Sequence, residues 1–220
     1  MYYVMGTSAV KRYVADMETG KAFRGRREEY TEATRQALLA AARNAFATDG
    51  YQAAGIEEIS RAARVTRGAF YHHFEDKKAL FEAVVTALQA EASDKIEKRA
   101  RTKKDIWDRL AVGIDVYLDV CLEPAYARIV VQEAPIVLGN KRFREIEESY
   151  PMALLEATLR ALKERGQLRF GDSGLLCRMI DAMICKVALL LPEASDPKAL
   201  RRQGKELVDT LLEAYRVTAR

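Results

Sequence analysis

Apolar residues recur along this chain with the period of a helix, and no stretch alternates in the manner of a strand. The first strong repeat runs from about Arg27 to Asp49, with Leu38, Ala41, Ala42, Ala45 and Phe46 on one face, and Gly50 ends it as a C-cap. A short second helix, Ile56 to about Arg64, buries Ile56, Ile59 and Ala63. The third begins at Thr66, whose hydroxyl can cap the free amides while Val65 staples onto Phe70. A fourth starts at Asp76 with Leu80, Phe81, Val84 and Leu88 inward, until the charged stretch DKIEKRARTKKD, Asp94 to Asp105, blurs the pattern.

Further amphipathic segments follow at about Ile106 to Leu122, Ala125 to Ala134, Asn140 to Arg165, Ser173 to Leu191 and Lys198 to Val217. Pro124 suits a first helical turn, Asp196 and Pro197 read as a cap and first-position proline, and Pro151 should kink or split its segment. The expected fold is all-α. A loose tail, 1–25, precedes a three-helix head, 26–80, and a larger helical domain, 81–220, and the charged stretch reads as the domain boundary.

Composition supports this reading. Of 220 residues, 49% are hydrophobic and 31% charged, with only 5 prolines, which excludes disorder as the default and favours helices. The longest apolar run, Met179 to Leu191, is interrupted by Asp181 and Lys186 and is too short to span a bilayer, so no membrane role is expected. The net charge of +4 permits a polyanionic partner without demanding one. Cys121, Cys177 and Cys185 form no metal spacing and read as reduced thiols in a cytoplasmic protein.

The stretch VTRGAFYHHFEDKKALF, Val65 to Phe81, carries the most specific chemistry. With Phe70 and Phe74 buried, Gly68 and His72 fall on the opposite side of the third helix, Ala69 and Tyr71 flank them, and Arg67 lies near the N-terminus. Such a face, small in the middle and hydrogen-bonding around it, suits a DNA major groove. Lys77 and Lys78 stand in a first turn, where a lysine opposes the helix dipole, and read as a phosphate clamp.

In order, spacing and residue type, GYQAAGIEEISRAARVTRGAFYHHFEDKKALFEAV, Gly50 to Val84, resembles the DNA-binding region of the TetR family of transcriptional regulators. The resemblance implies a helix-turn-helix head on a homodimer, with a variable ligand-binding domain behind it. By position, Thr66, Arg67, Gly68 and Ala69 would face bases or nearby backbone; Tyr71, His73 and Lys77 would meet phosphates, and His72 either. EAPIVLGNKRFREIE, Glu133 to Glu147, is similar to one C-terminal subgroup of the family.

The chain departs from the family pattern in two respects. Ala54 and Gly55 replace its usual capping hydroxyl, leaving only backbone amides for phosphate. Arg64 stands where the turn usually has glycine, at a cost of roughly 1 kcal/mol if the conformation is left-handed, and can compensate by reaching DNA. The tail KAFRGRR, Lys21 to Arg27, is a candidate basic arm.

In the second domain Trp107, Tyr117, Cys121, Tyr126, Val130, Met179 and Met183 are candidates to line a cavity for an apolar or amphipathic molecule. Leu200, Leu207, Leu211 and Tyr215 make a stripe on the last helix, with Gly204 allowing close approach, and are the expected dimer interface. Adjacent His72 and His73 point about 100° apart, which argues against a metal site, and no cofactor motif occurs. No nucleophile elbow, phosphate loop or HExxH motif supports catalysis. The expected function is a ligand-released dimeric repressor on a palindromic DNA operator. An activator or thiol-redox regulator on the same scaffold, or a helical enzyme with a vestigial head, are the alternatives.

Overall fold

The computed structural model describes residues 26–217, and among them every named element is helical. Helix α1, Arg26–Thr48, carries the first apolar stripe, with Leu38, Ala42 and Phe46 fully buried. Gly50 then turns the chain at φ +85, a left-handed conformation open to glycine, and starts a one-turn helix α2, Gly50–Ala53, that periodicity did not reveal. Helices α3, Ile56–Ala62, and α4, Arg67–His73, form the helix-turn-helix. As the cap predicts, Thr66 Oγ1 accepts the Ala69 N–H at 3.1 Å.

Helix α5, Lys77–Ala100, starts under Asp76, whose carboxylate accepts the Ala79 N–H at 2.7 Å. It does not stop at Asp94, where the pattern blurs. Ala92 and Ile96 still reach the core while Asp94, Lys95, Lys98 and Arg99 face solvent, so the charged stretch is mostly the outer face of a continuing helix. The break comes later, between Ala100 and helix α6, Ile106–Leu122.

The segment expected at Ala125 to Ala134 divides into α7, Pro124–Tyr126, a π-helical stretch Ala127–Glu133, and α8, Ala134–Leu138. Pro151 splits the next segment as expected, giving α9, Asn140–Glu147, and α10, Pro151–Glu164, with the proline in a first turn that needs no N–H. Helices α11, Ser173–Leu190, and α12, Pro197–Tyr215, complete the chain, and Asp196 caps α12 through the Ala199 N–H at 3.0 Å.

One apolar core runs from Phe46, Phe70 and Phe81 in the head, along α5, to Leu118, Ile129, Leu159, Ile180 and Ile184. Because α5 contributes to both ends, the head is mounted on a rod shared with the second domain. Among the described residues, no helix is long and apolar enough to cross a membrane.

Candidate DNA-binding face and regulatory cavity

Phe70 and Phe74 anchor α4 and leave the opposite side free. Thr66, Arg67, Gly68, Tyr71 and His72 are exposed there, with Ala69 and His73 half-buried at its edges. A Cβ on Gly68 would meet only Thr66 Oγ1, at 3.8 Å. The fold therefore does not require a glycine at this position, and its smallness matters to whatever docks from outside. Arg67 is held for the moment by Glu57, Nη1 to Oε1 2.7 Å, and lies over the Tyr71 ring.

In the turn between α3 and α4, Arg64 takes φ 57, the left-handed conformation on which its expected cost depends. Its N–H reaches the Arg61 carbonyl, and the Val65 N–H reaches that of Ser60, both at 3.0 Å. The Arg64 side chain is exposed beside α4. Gly55 caps α3 with backbone alone, as expected. The tail to Gly25 and the Arg27 side chain lie outside the described residues.

Lys77 requires a correction. Its ammonium donates to the carbonyls of Tyr51, Gln52 and Ala54 at 2.8, 3.2 and 3.1 Å and sits over the Tyr51 ring. An ammonium has three protons, and these carbonyls take all of them. A lysine that seemed misplaced against the α5 dipole is instead the C-terminal cap of α2, while the neighbouring Lys78 is exposed.

The π-helical stretch joins head to body. Arg128 Nη1 donates to the Ala47 and Thr48 carbonyls at the end of α1, at 3.2 and 2.6 Å, and Glu133 accepts the Tyr51 N–H at 2.9 Å. A side chain at Gly50 would collide with both: its Cβ would lie 2.6 Å from Glu133 and 2.7 Å from Arg128. On its other side the same stretch supplies Val130 and Val131 to a cavity of about 280 Å³.

Of the residues named from the sequence, Tyr117, Tyr126 and Val130 line that cavity, together with Asn140, Phe143, Arg144, Glu147, Asp181 and Cys185, which had not been named as lining residues. Cys121 is fully buried. The signal for Asp181 was present, a carboxylate interrupting the longest apolar run. Tyr117 donates to Asp181 at 2.7 Å and Tyr126 to Gln89 at 2.9 Å. Burial pushes Glu147 up to about 8, and also raises Asp181. Tyr117 also borders a second, more apolar cavity of about 260 Å³ between α5, α6 and α10.

Four expected lining residues lie elsewhere, Cys121 among them, which is fully buried and lines neither cavity. Trp107 packs under the Arg216 guanidinium at 4.8 Å, Met183 is half-buried outside both cavities, and Met179 is 52% exposed. Helical periodicity fixes that a residue is on a face, not what that face meets.

The stripe on α12 also divides. Gly204 does allow close approach, but within the subunit: a Cβ there would lie 2.5 Å from Val187 of α11. Leu200 and Leu211 pack partly on the core, and Tyr215 meets Phe170 edge to face. Leu207 alone of the five is an outward leucine, 61% exposed. It is joined by Leu175, Met179, Leu189 and Leu190, exposed on α11.

Comparison with known proteins agrees with this architecture. Residues 38–84 match the description "Bacterial regulatory proteins, tetR family", and residues 107–215 match "Tetracyclin repressor-like, C-terminal domain". The Transposon Tn10 TetC protein of Escherichia coli is 32% identical over 177 residues, covering 78% of this chain and 88% of that protein. A TetR-family transcriptional regulator from Pectobacterium atrosepticum, known by crystal structure, is 32% identical with a TM-score of 0.70, over 90% of this chain and 100% of that one. The Bacillus subtilis regulator FadR, solved with stearoyl-CoA, shares the fold at a TM-score of 0.67 and 20% identity, over 79% of this chain and 96% of its own. The helix-turn-helix with its open face, the helical body and these matches along most of the chain make this protein a member of the TetR family of DNA-binding transcriptional regulators.

Proposed function

We propose that this regulator is a homodimeric repressor released from its operator by a small molecule bound in the body. One observation carries the reading: the π-helical stretch Ala127–Glu133 lines a cavity with Val130 and Val131 and grips the head with Arg128 and Glu133. A ligand that repositions this stretch acts on the ends of α1 and α2 within two residues of its own contacts. In a dimer the two heads read half-sites about one helical turn apart, so tilting either head misplaces it against the DNA. That FadR, of the same fold, was solved with stearoyl-CoA supports a body that accepts small molecules.

On the DNA side, Arg67, Gly68, Tyr71 and His72 read or approach the major groove, and Arg64, Thr66, Ala69, His73 and Lys78 contact backbone or neighbouring bases. Glu57 holds Arg67 until a guanine replaces it. The dimer face is the apolar surface of α11 and α12 around Leu175, Met179 and Leu207. A thiol switch is poorly served, because burial pushes Cys177 up to about 12, and the Cys121 contact together with burial holds Cys185 well above its ordinary range.

The test is reciprocal. A ligand found by thermal shift is titrated with and without operator DNA, and operator is titrated with and without ligand. Equal weakening both ways, about 5- to 150-fold, is expected. Arg128→Ala should reduce this coupling more than it reduces either affinity alone. A ligand bound at the cavity with no effect on operator affinity in either titration removes the inducer reading.

A further inference from the structure

We propose that the cavity between Tyr117, Tyr126, Phe143, Glu147 and Asp181 is a receptor for a small organic cation, an ammonium carried on a single aromatic or apolar body. The inference deepens the reading of the body as a ligand sensor and rests on it.

Two carboxyls from different helices, Glu147 at the end of α9 and Asp181 in α11, line one cavity. Among the described residues, the ion pairs of the neighbouring Arg142, Arg178 and Arg201 go to Glu82, Glu145, Glu148, Asp115 and Asp119, and none reaches Glu147 or Asp181. Arg144, the one cation on the lining, is exposed a turn back on α9 and only partly offsets the burial of Glu147. Asp181 accepts from the Tyr117 hydroxyl and the Cys185 thiol, at 2.7 and 3.7 Å, which are neutral donors and leave its charge unbalanced. The cavity thus holds two acids against one exposed arginine, in a partly dry setting, so that with both carboxyls ionised it is one positive charge short.

The walls suit the rest of such a ligand. Tyr117, Tyr126 and Phe143 place three aromatic rings on the lining, a residue type whose faces attract cations, and Val130 and Val131 add apolar side chains. Behind Tyr126 the Gln89 side chain is 1% exposed, and its amide nitrogen has no partner. A volume of about 280 Å³ is small for a ligand cavity and fits a one-ring amine better than a long chain. An anion would face two carboxyls, and a purely apolar molecule would desolvate them without compensation.

Phenethylamine, 2-phenylethanol and phenylacetate present nearly one shape with a positive, neutral and negative end. Calorimetric titration of the full chain at neutral pH should show phenethylamine binding at least about tenfold more tightly than the other two. Asp181→Asn and Glu147→Gln should each erase most of that preference, with folding verified by circular dichroism. If Asp181→Asn does not fold, Glu147→Gln decides. Equal or tighter binding of the alcohol or the carboxylate, a preference that survives the substitutions, or no phenethylamine binding at millimolar concentration overturns the proposal. Operator affinity is measured separately. Amine binding without operator release refutes the inducer reading and leaves the cation site standing, whereas release by a neutral or anionic compound, without amine binding, does the reverse.

Discussion

Single residues in this protein break local rules for identifiable reasons. Arg64 adopts φ 57 where glycine would be unstrained. Arg64→Gly should therefore gain up to about 1 kcal/mol in urea denaturation, reduced by the greater freedom of glycine in the unfolded chain, while losing operator affinity. Lys77 breaks the dipole rule because it caps α2, and Lys78 because it stays free at the surface. Lys77→Ala should cost about 1 to 2 kcal/mol in thermal unfolding; Lys78→Ala should leave stability alone and lower the salt slope of DNA binding by about one. Unchanged stability in Lys77→Ala would restore it as a phosphate contact. The Lys77 role was not legible beforehand, since its three carbonyl partners lie 23 to 26 residues away in sequence.

Glu147 adds a pH dependence at the same scale. Its value is raised from 4.5 to about 8, mainly by burial, with Asp181 and Glu148 adding to the rise and Arg144 opposing it. Between these values the folded state holds a proton that the unfolded state has lost, so stability falls as pH rises through the window. Raised Asp181 acts in the same direction. Glu147→Gln should flatten this part of a melting-temperature profile, raising the melting temperature near the top of the window and changing little near the bottom. An unaltered slope would mean that other groups cause it.

At the level of elements, existence and type were readable, and ends less so. Helix caps at Thr66 and Asp196 and the split at Pro151 follow from chemistry within a few residues, and all three are found. The end of α5 was misplaced because charged residues on an outer face mask a buried Ile96. The π-helical stretch gave no signal, its register being set by what Arg128 and Glu133 grip on α1 and α2. Pairing of elements makes its own prediction. Gly204 seats α12 against the stiff, β-branched Val187 of α11, so Gly204→Ala should force the helices apart and cost about 1 to 3 kcal/mol by denaturant titration.

For the whole molecule, the outward surface of α11 and α12 is the proposed dimer face. Leu175, Met179 and Leu207 are large apolar side chains left exposed on two adjacent helices, the kind of surface a second copy covers. Leu207→Glu should yield a folded monomer by light scattering with weakened binding to a palindromic site, whereas Leu211→Glu should also destabilise the subunit, since Leu211 packs on its core. A dimeric Leu207→Glu protein would place the interface elsewhere.

Local chemistry in the sequence was enough for most of the helices, the caps at Thr66 and Asp196 and the open face of α4, because each depends on neighbours within about two turns, while the strained turn at Arg64 was read from the family resemblance. Tertiary structure alone decided which face of α12 is inward, that Lys77 serves α2, and that Tyr117, Tyr126, Glu147 and Asp181 meet around one cavity. Those outcomes depend on contacts between helices distant in the chain, and periodicity carries no information about which helix a given face will meet.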